Sequence, residues 1–127
     1  MEGLDYLHSN HVIHADLKGA NILFDGKEHI KLSDFGAARY IENLPMLSCS
    51  QSDICNSIKG SLYWMAPEMI MQEGYGRKID IWSLGCTLIE MATGKHPWPD
   101  VKNYPHLVIE IANRKIPPIP DFLSEEA

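Results

Sequence analysis

His14-Ala15-Asp16-Leu17-Lys18-Gly19-Ala20-Asn21 is the stretch whose reading decides the fold. It sets a carboxylate, an ammonium and a carboxamide close together between two apolar runs, Val12-Ile13 and Ile22-Leu23-Phe24. Each run is too short for an ordinary helix and β-branched enough for a short strand. A polar loop held at both ends by buried strands can aim its side chains, which positioned chemistry requires and a freely solvated loop does not provide.

Working outward, Asp25-Gly26 lies between Ile22-Leu23-Phe24 and His29-Ile30-Lys31-Leu32 and predicts a hairpin, with Lys27 and Glu28 lengthening its loop. The returning strand runs into Ser33-Asp34-Phe35-Gly36, where Gly36 permits a bend and Phe35 offers an apolar anchor. An antiparallel hairpin carries Asp34 back toward Asp16 and Asn21. Two carboxylates and an amide oxygen meeting there form a hard-oxygen set suited to Mg²⁺, which keeps several waters and takes further ligands from substrate phosphates.

The rest of the chain contributes framework. Met1, Leu4 and Leu7 recur at helical spacing and predict a helix over Met1–His8 with no capping residue, as though the chain starts inside an element. Residues 37–60 lack periodicity and carry Ser48, Ser50, Ser52 and Ser57; a segment of that length is expected to be functional or mobile. In Gly60-Ser61-Leu62-Tyr63-Trp64-Met65-Ala66-Pro67-Glu68, Pro67 disfavours helix before it and can open one over Pro67–Met71. Ile79–Thr93 is the best helix, closed by Gly94; apolar over most of its circumference, it is expected to be buried on all sides. His106–Asn113 predicts another helix with Leu107, Val108 and Ile111 inward. Ile116–Pro120 reads as extended, and Ser124–Ala127 as the first turn of a helix.

Bulk composition narrows the class. At 127 residues, 45% hydrophobic and 22% charged, the chain has the make-up of one soluble globular domain. A net charge of −6 argues against nucleic acid as a partner, which would need a basic face. No apolar run is long enough to span a membrane, so no membrane association is expected. Cys49, Cys55 and Cys86 form no C-x-x-C pair and leave one thiol over in any disulfide scheme, which fits a reducing compartment, cytoplasmic or nuclear.

Four blocks now stand in one order: His14-Ala15-Asp16 to Asn21, Asp34-Phe35-Gly36, Ala66-Pro67-Glu68, and Asp80-Ile81-Trp82-Ser83-Leu84-Gly85. Together they resemble the signature set of eukaryotic-type protein kinases. Gly19-Ala20-Asn21-Ile22-Leu23 and Tyr63-Trp64-Met65-Ala66-Pro67-Glu68 are most similar to the MAP kinase kinase kinase branch. The resemblance covers essentially the whole chain. It implies an α+β fold, the mainly helical large lobe of a kinase with a small β-hairpin region, so that residues 1–127 form a partial kinase domain without the small N-terminal lobe.

The same resemblance implies roles. Asp16 would accept or orient the proton of a substrate hydroxyl, and Lys18, two residues on as in serine/threonine kinases, would neutralise charge on the transferred phosphoryl group. Asn21 and Asp34 would hold Mg²⁺ on the phosphates of ATP. Ser61 would line the floor of the substrate site and contact Asp16; Asp80 would brace the loop from the start of the central helix; Glu68 would pair with an arginine of a later helix; and His14 would pack and hydrogen-bond rather than transfer protons. The implied activity is transfer of the ATP γ-phosphoryl to protein Ser or Thr, with a MAP kinase kinase as the implied substrate. Residues 37–60 would be an activation loop, with Ser48, Ser50, Ser52 and Ser57 as candidate phosphosites.

Two departures from the family pattern stand out. Ala15 replaces the arginine usual between the histidine and the aspartate, which puts phospho-control through that arginine in doubt. No Gly-rich phosphate loop, strand lysine or helix glutamate occurs ahead of the His14 stretch. The 127 residues alone are therefore expected to be inactive. The readings set beside an enzyme are a truncated gene model or alternative start within a longer active kinase, and a non-catalytic interaction module, or pseudokinase fragment, that keeps the substrate-docking face.

Overall fold

A computed structural model describes residues 2–41 and 60–123. Ser48, Ser50, Ser52 and Ser57, most of the predicted activation loop and the predicted turn at Ser124–Ala127 lie outside the described residues. The described elements are α1 (Glu2–Ser9), β1 (Val12–Ile13), β2 (Ile22–Phe24), β3 (Ile30–Leu32), β4 (Arg39–Tyr40), α2 (Pro67–Ile70), α3 (Lys78–Thr93) and α4 (Tyr104–Ala112). The predominance of helix, with only small antiparallel sheets, agrees with the fold class expected above.

The predicted hairpin is β2–β3, antiparallel, with Ile22 opposite Leu32 and Phe24 opposite Ile30. Its loop is organised by Asp25, whose carboxylate accepts the N–H groups of Lys27 (2.8 Å) and His29 (3.2 Å). Those bonds hold the Asp25 carboxyl below its ordinary range. β1 does not join that hairpin; it pairs antiparallel with β4, Ile13 opposite Arg39. The expectation of two buried flanking strands is therefore half right. Ile13 is fully buried, whereas Leu23 and Phe24 are 53% and 67% exposed, because β2 has only β3 beside it among the described residues.

Each helix end has a local cause. Pro67 sits in the first turn of α2, where its missing N–H has no intrahelical partner to lose. Gly94, at φ 67°, closes α3 by donating its N–H to the Glu90 carbonyl, the left-handed cap anticipated from sequence. α4 begins two residues earlier than His106 because Asn103 caps it, its side chain accepting the His106 N–H at 2.9 Å, and Pro105 follows in the first turn.

Two apolar clusters hold the elements together. Leu62, Met65, Trp98, Leu107 and Ile111 form one; Ile13, Ala66 and Ile79 form the other, and Trp82 packs against both. The Leu62–Pro67 segment thus links α3 and α4 to β1. The expectation that α3 is buried all round needs correction. Ile79, Asp80, Ser83, Cys86, Thr87 and Ile89 are buried, but Ile81, Leu88 and Met91 are 54%, 51% and 64% exposed. Among the described residues the helix has packing partners on one side only.

Stability should follow this one-sidedness. Ile79→Ala and Leu107→Ala, both at fully buried sites, should each cost about 2–5 kcal/mol in urea unfolding. Ile81→Ala, on the open face, should stay within about 0.5 kcal/mol. A cost at Ile81 equal to that at Ile79 would contradict the packing described here.

Candidate active site

The His14–Asn21 loop is held from α3 rather than from the strands beside it. The Asp80 carboxylate, fully buried in the first turn of α3, accepts the backbone N–H of His14 through Oδ2 and that of Ala15 through Oδ1, both at 2.9 Å. His8 of α1 donates to Oδ2 from Nε2 at 2.8 Å. A buried carboxylate without partners would be very costly, and three donors satisfy this one. The Ala15 bond also holds a strained residue, for Ala15 has φ 63°, a left-handed conformation costing about 1–2 kcal/mol for an L-residue.

His14 is buried and both ring nitrogens are engaged. The Asp16 N–H donates to Nδ1 at 3.3 Å, so the ring proton sits on Nε2, which donates to the Ser33 carbonyl at 3.0 Å. The ring also packs against Phe35, centroids 5.1 Å apart. These contacts are structural; they tie the loop to the end of the β2–β3 hairpin.

Past His14 the polar side chains converge. Asp16 Oδ2 accepts from Lys18 Nζ at 3.1 Å and from Asn21 Nδ2 at 3.1 Å. Asn21 Nδ2 also donates to the Asp16 carbonyl at 2.8 Å, which leaves the Asn21 amide oxygen facing away from these acceptors. Lys18 Nζ reaches on to Ser61 Oγ at 2.7 Å. Asp16 Oδ1 has no partner among the described residues and remains free to accept a proton or a hydrogen bond. Asp16, Lys18, Ser61, Trp64, Met65 and Ser83 line an open cavity of about 380 Å³.

Asp34 is placed by the hairpin. Ser33 donates to the Asn21 carbonyl from its backbone N–H (2.9 Å) and from Oγ (3.1 Å), and Asp34 is the next residue. Asp34 is left-handed at φ 59° and exposed; its side chain accepts the Gly36 N–H at 3.3 Å. An exposed carboxylate and a free amide oxygen on either side of the Ser33–Asn21 contact are the hard donors that Mg²⁺ takes, so the residues present fit that ion. Among the described residues no cluster of three or more His, Cys, Asp or Glu forms a metal site made by the protein alone. Glu68 is half-buried at the start of α2, and its carboxylate has no hydrogen-bond partner among the described residues.

Sequence reasoning missed Glu90. Its Oε2 accepts the Gly19 N–H and the Trp64 Nε1–H, each at 2.9 Å, while Ser83 Oγ donates to the Trp64 carbonyl at 2.7 Å. The only sequence signal was an acid within an otherwise apolar helical run. α3 therefore braces the loop near one end through Asp80 and near the other through Glu90.

Replacing Asp80 by Asn should cost about 3 kcal/mol, since one carboxylate oxygen becomes an amide NH₂ facing N–H donors. Urea unfolding checks this; an unchanged midpoint would contradict it. Burial pushes the Cys86 thiol up to about 12, so peptide mapping should find Cys86 unmodified by iodoacetamide at pH 8 in the folded chain and alkylated once urea unfolds it.

Comparison with known proteins adds independent findings. The family described as "Protein kinase domain" matches residues 1–126. Over 126 residues the chain is 49% identical to mitogen-activated protein kinase kinase kinase 3 of Arabidopsis thaliana, covering 98% of this chain and 19% of that protein. It is 48% identical to mitogen-activated protein kinase kinase kinase ANP1 of the same plant, covering 98% of this chain and 18% of that protein. Identity to mitogen-activated protein kinase kinase kinase A of Dictyostelium discoideum is 46% over 128 residues, covering 100% of this chain and 13% of that protein. The chain thus spans at most about a fifth of the length of these curated relatives. No helix among the described residues is long and apolar enough to cross a membrane.

Proposed function

The chain belongs to the protein kinase domain family, and from that premise we propose that it forms the catalytic-loop half of a serine/threonine kinase. The reaction would move the γ-phosphoryl group of ATP to a protein Ser or Thr hydroxyl. The relatives' names favour a place in a MAP kinase cascade, with a MAP kinase kinase as substrate. One observation carries the reading: Lys18 Nζ lies between Asp16 Oδ2 (3.1 Å) and Ser61 Oγ (2.7 Å), at the wall of an open cavity.

Each group has work suited to its surroundings. Asp16 uses Oδ2 to hold Lys18 and Asn21 and keeps Oδ1 for the acceptor hydroxyl, which it would orient and relieve of its proton. Lys18 brings a fixed positive charge to the edge of the same cavity, where it would offset negative charge on the phosphoryl group in flight. Ser61, held by Lys18, sets the floor on which the hydroxyl-bearing residue rests. Asn21 Oδ1 and the Asp34 carboxylate are the oxygens that would hold Mg²⁺, which would supply positive charge against that of the nucleotide phosphates. His14 has both nitrogens committed to the backbone and takes no proton in this scheme. Ser48, Ser50, Ser52 and Ser57 are the proposed sites of regulatory phosphorylation. With Ala15 in the usual arginine position, that regulation would not run through a side chain at position 15.

Because transfer depends on positioning and charge stabilisation, half a site should do little. The 127 residues contain no Gly-rich loop to enclose the phosphates, and the surface around Leu23, Phe24 and Phe35 is open at 53%, 67% and 49% exposure. A charge pair at contact in bulk water is worth only about 1 kcal/mol.

Purified 1–127 should therefore transfer no measurable radiolabelled phosphate from ATP to a generic protein substrate. A fusion placing a protein-kinase ATP-binding lobe upstream of Met1 should phosphorylate Ser and Thr, and Asp16→Ala in that fusion should abolish the transfer. A fusion that folds, binds ATP–Mg²⁺ and transfers nothing would refute the catalytic reading and favour a non-catalytic docking module.

A further inference from the structure

We propose that Glu90 is a positioning residue which locks the catalytic loop to the Ser61–Trp64 turn through a single carboxylate oxygen, and that Gly19 is glycine to make room for it. The inference rests on the kinase reading above for its consequence, but the contact itself does not. Glu90 Oε2 accepts both the Gly19 N–H and the Trp64 Nε1–H at 2.9 Å. Gly19 directly follows Lys18, and Trp64 closes the turn that Ser61 begins, the Trp64 N–H donating to the Ser61 carbonyl at 3.1 Å. Lys18 and Ser61, which meet at 2.7 Å, are therefore each within one turn of backbone of the same anchoring oxygen.

Gly19 supplies an independent observation. Only Gly26 and Gly94 among the described glycines have positive φ, so backbone conformation does not demand glycine at 19. Space does. A Cβ on Gly19 would lie 2.8–2.9 Å from the Glu90 carboxylate atoms. Elsewhere the end of a glutamate could swing aside, but this one is fixed by two N–H donors, and moving it breaks both bonds. Trp64 is also held by Ser83, which donates to its carbonyl. Losing Glu90 would thus loosen the relation between Lys18 and Ser61 without unseating the turn from α3.

Glutamine keeps an oxygen able to accept both N–H groups, whereas alanine keeps none, and this separates the geometric role from general damage. In the active fusion, Glu90→Ala and Gly19→Ala should each lower kcat for protein phosphorylation about tenfold, with KM for ATP nearly unchanged, while Glu90→Gln stays within about threefold of the parent. In the ¹⁵N-labelled 127-residue chain, hydrogen exchange at the Trp64 indole N–H should quicken about tenfold in Glu90→Ala and Gly19→Ala but not in Glu90→Gln. Parent-like kcat and indole exchange in Gly19→Ala would overturn the proposal, as would an equal loss of kcat in Glu90→Gln and Glu90→Ala. A parent fusion without phosphotransfer would count against the kinase reading, and the indole exchange would still decide the Glu90 contact.

Discussion

The site depends on one buried carboxylate. Asp80 has no exposure to solvent, and its two oxygens take the N–H groups of His14 and Ala15 together with His8 Nε2. Burying that charge is tolerable only because every donor points at it, and the two backbone donors have no strand or helix partner of their own. The bond is reciprocal in effect. It satisfies the helix's acid and fixes the entry to the His14–Asn21 loop, including a left-handed alanine that an unrestrained chain would avoid. Three elements, α1, the loop that follows it and the sequence-distant α3, share this one anchor.

From that anchor the loop's side chains form a chain of shared partners. Asn21 and Lys18 both donate to Asp16 Oδ2, and Lys18 continues to Ser61. Such a network holds each member's direction through its neighbours, so the geometry exists before any substrate arrives. About 15 Å of helix, at 1.5 Å per residue, separates Asp80 from Glu90, enough for α3 to grip the loop near both ends. A rigid helix is a better ruler for this purpose than the two short, partly exposed strands beside the loop.

The packing shows why α3 can serve as that ruler. Ile79 joins Ile13 and Ala66, and Trp82 reaches into the cluster built from Leu62, Met65, Trp98, Leu107 and Ile111. The opposite face, with Ile81, Leu88 and Met91, stays open among the described residues. An apolar circumference read from sequence reports the capacity to be buried. Whether burial occurs depends on which other elements are there to pack against.

Local chemistry accounts for what the sequence determined. The Asp25-Gly26 hairpin, the Pro67 start of α2 and the Gly94 end of α3 are each dictated by backbone preferences of residues close together in the chain. The same holds for Asp16, Lys18 and Asn21, which lie within six residues and could be singled out by type and spacing alone. Asn103 and Pro105 mark the start of α4 by the same local chemistry, two residues ahead of the apolar periodicity that predicts it from His106. Val12-Ile13 reads as a strand, but its partner β4, only two residues long, leaves too little pattern to predict the pairing. The family resemblance implied Asp80 as a brace, but only tertiary structure could decide which of its atoms hold the loop and that Glu90 joins it. Asp80 and Glu90 reach it across 66 and 71 residues of sequence, and no periodicity encodes a contact between a side chain and a backbone N–H that far away. Carboxylates on a helix look alike in sequence; they become anchors when packing buries them against donors that nothing else satisfies.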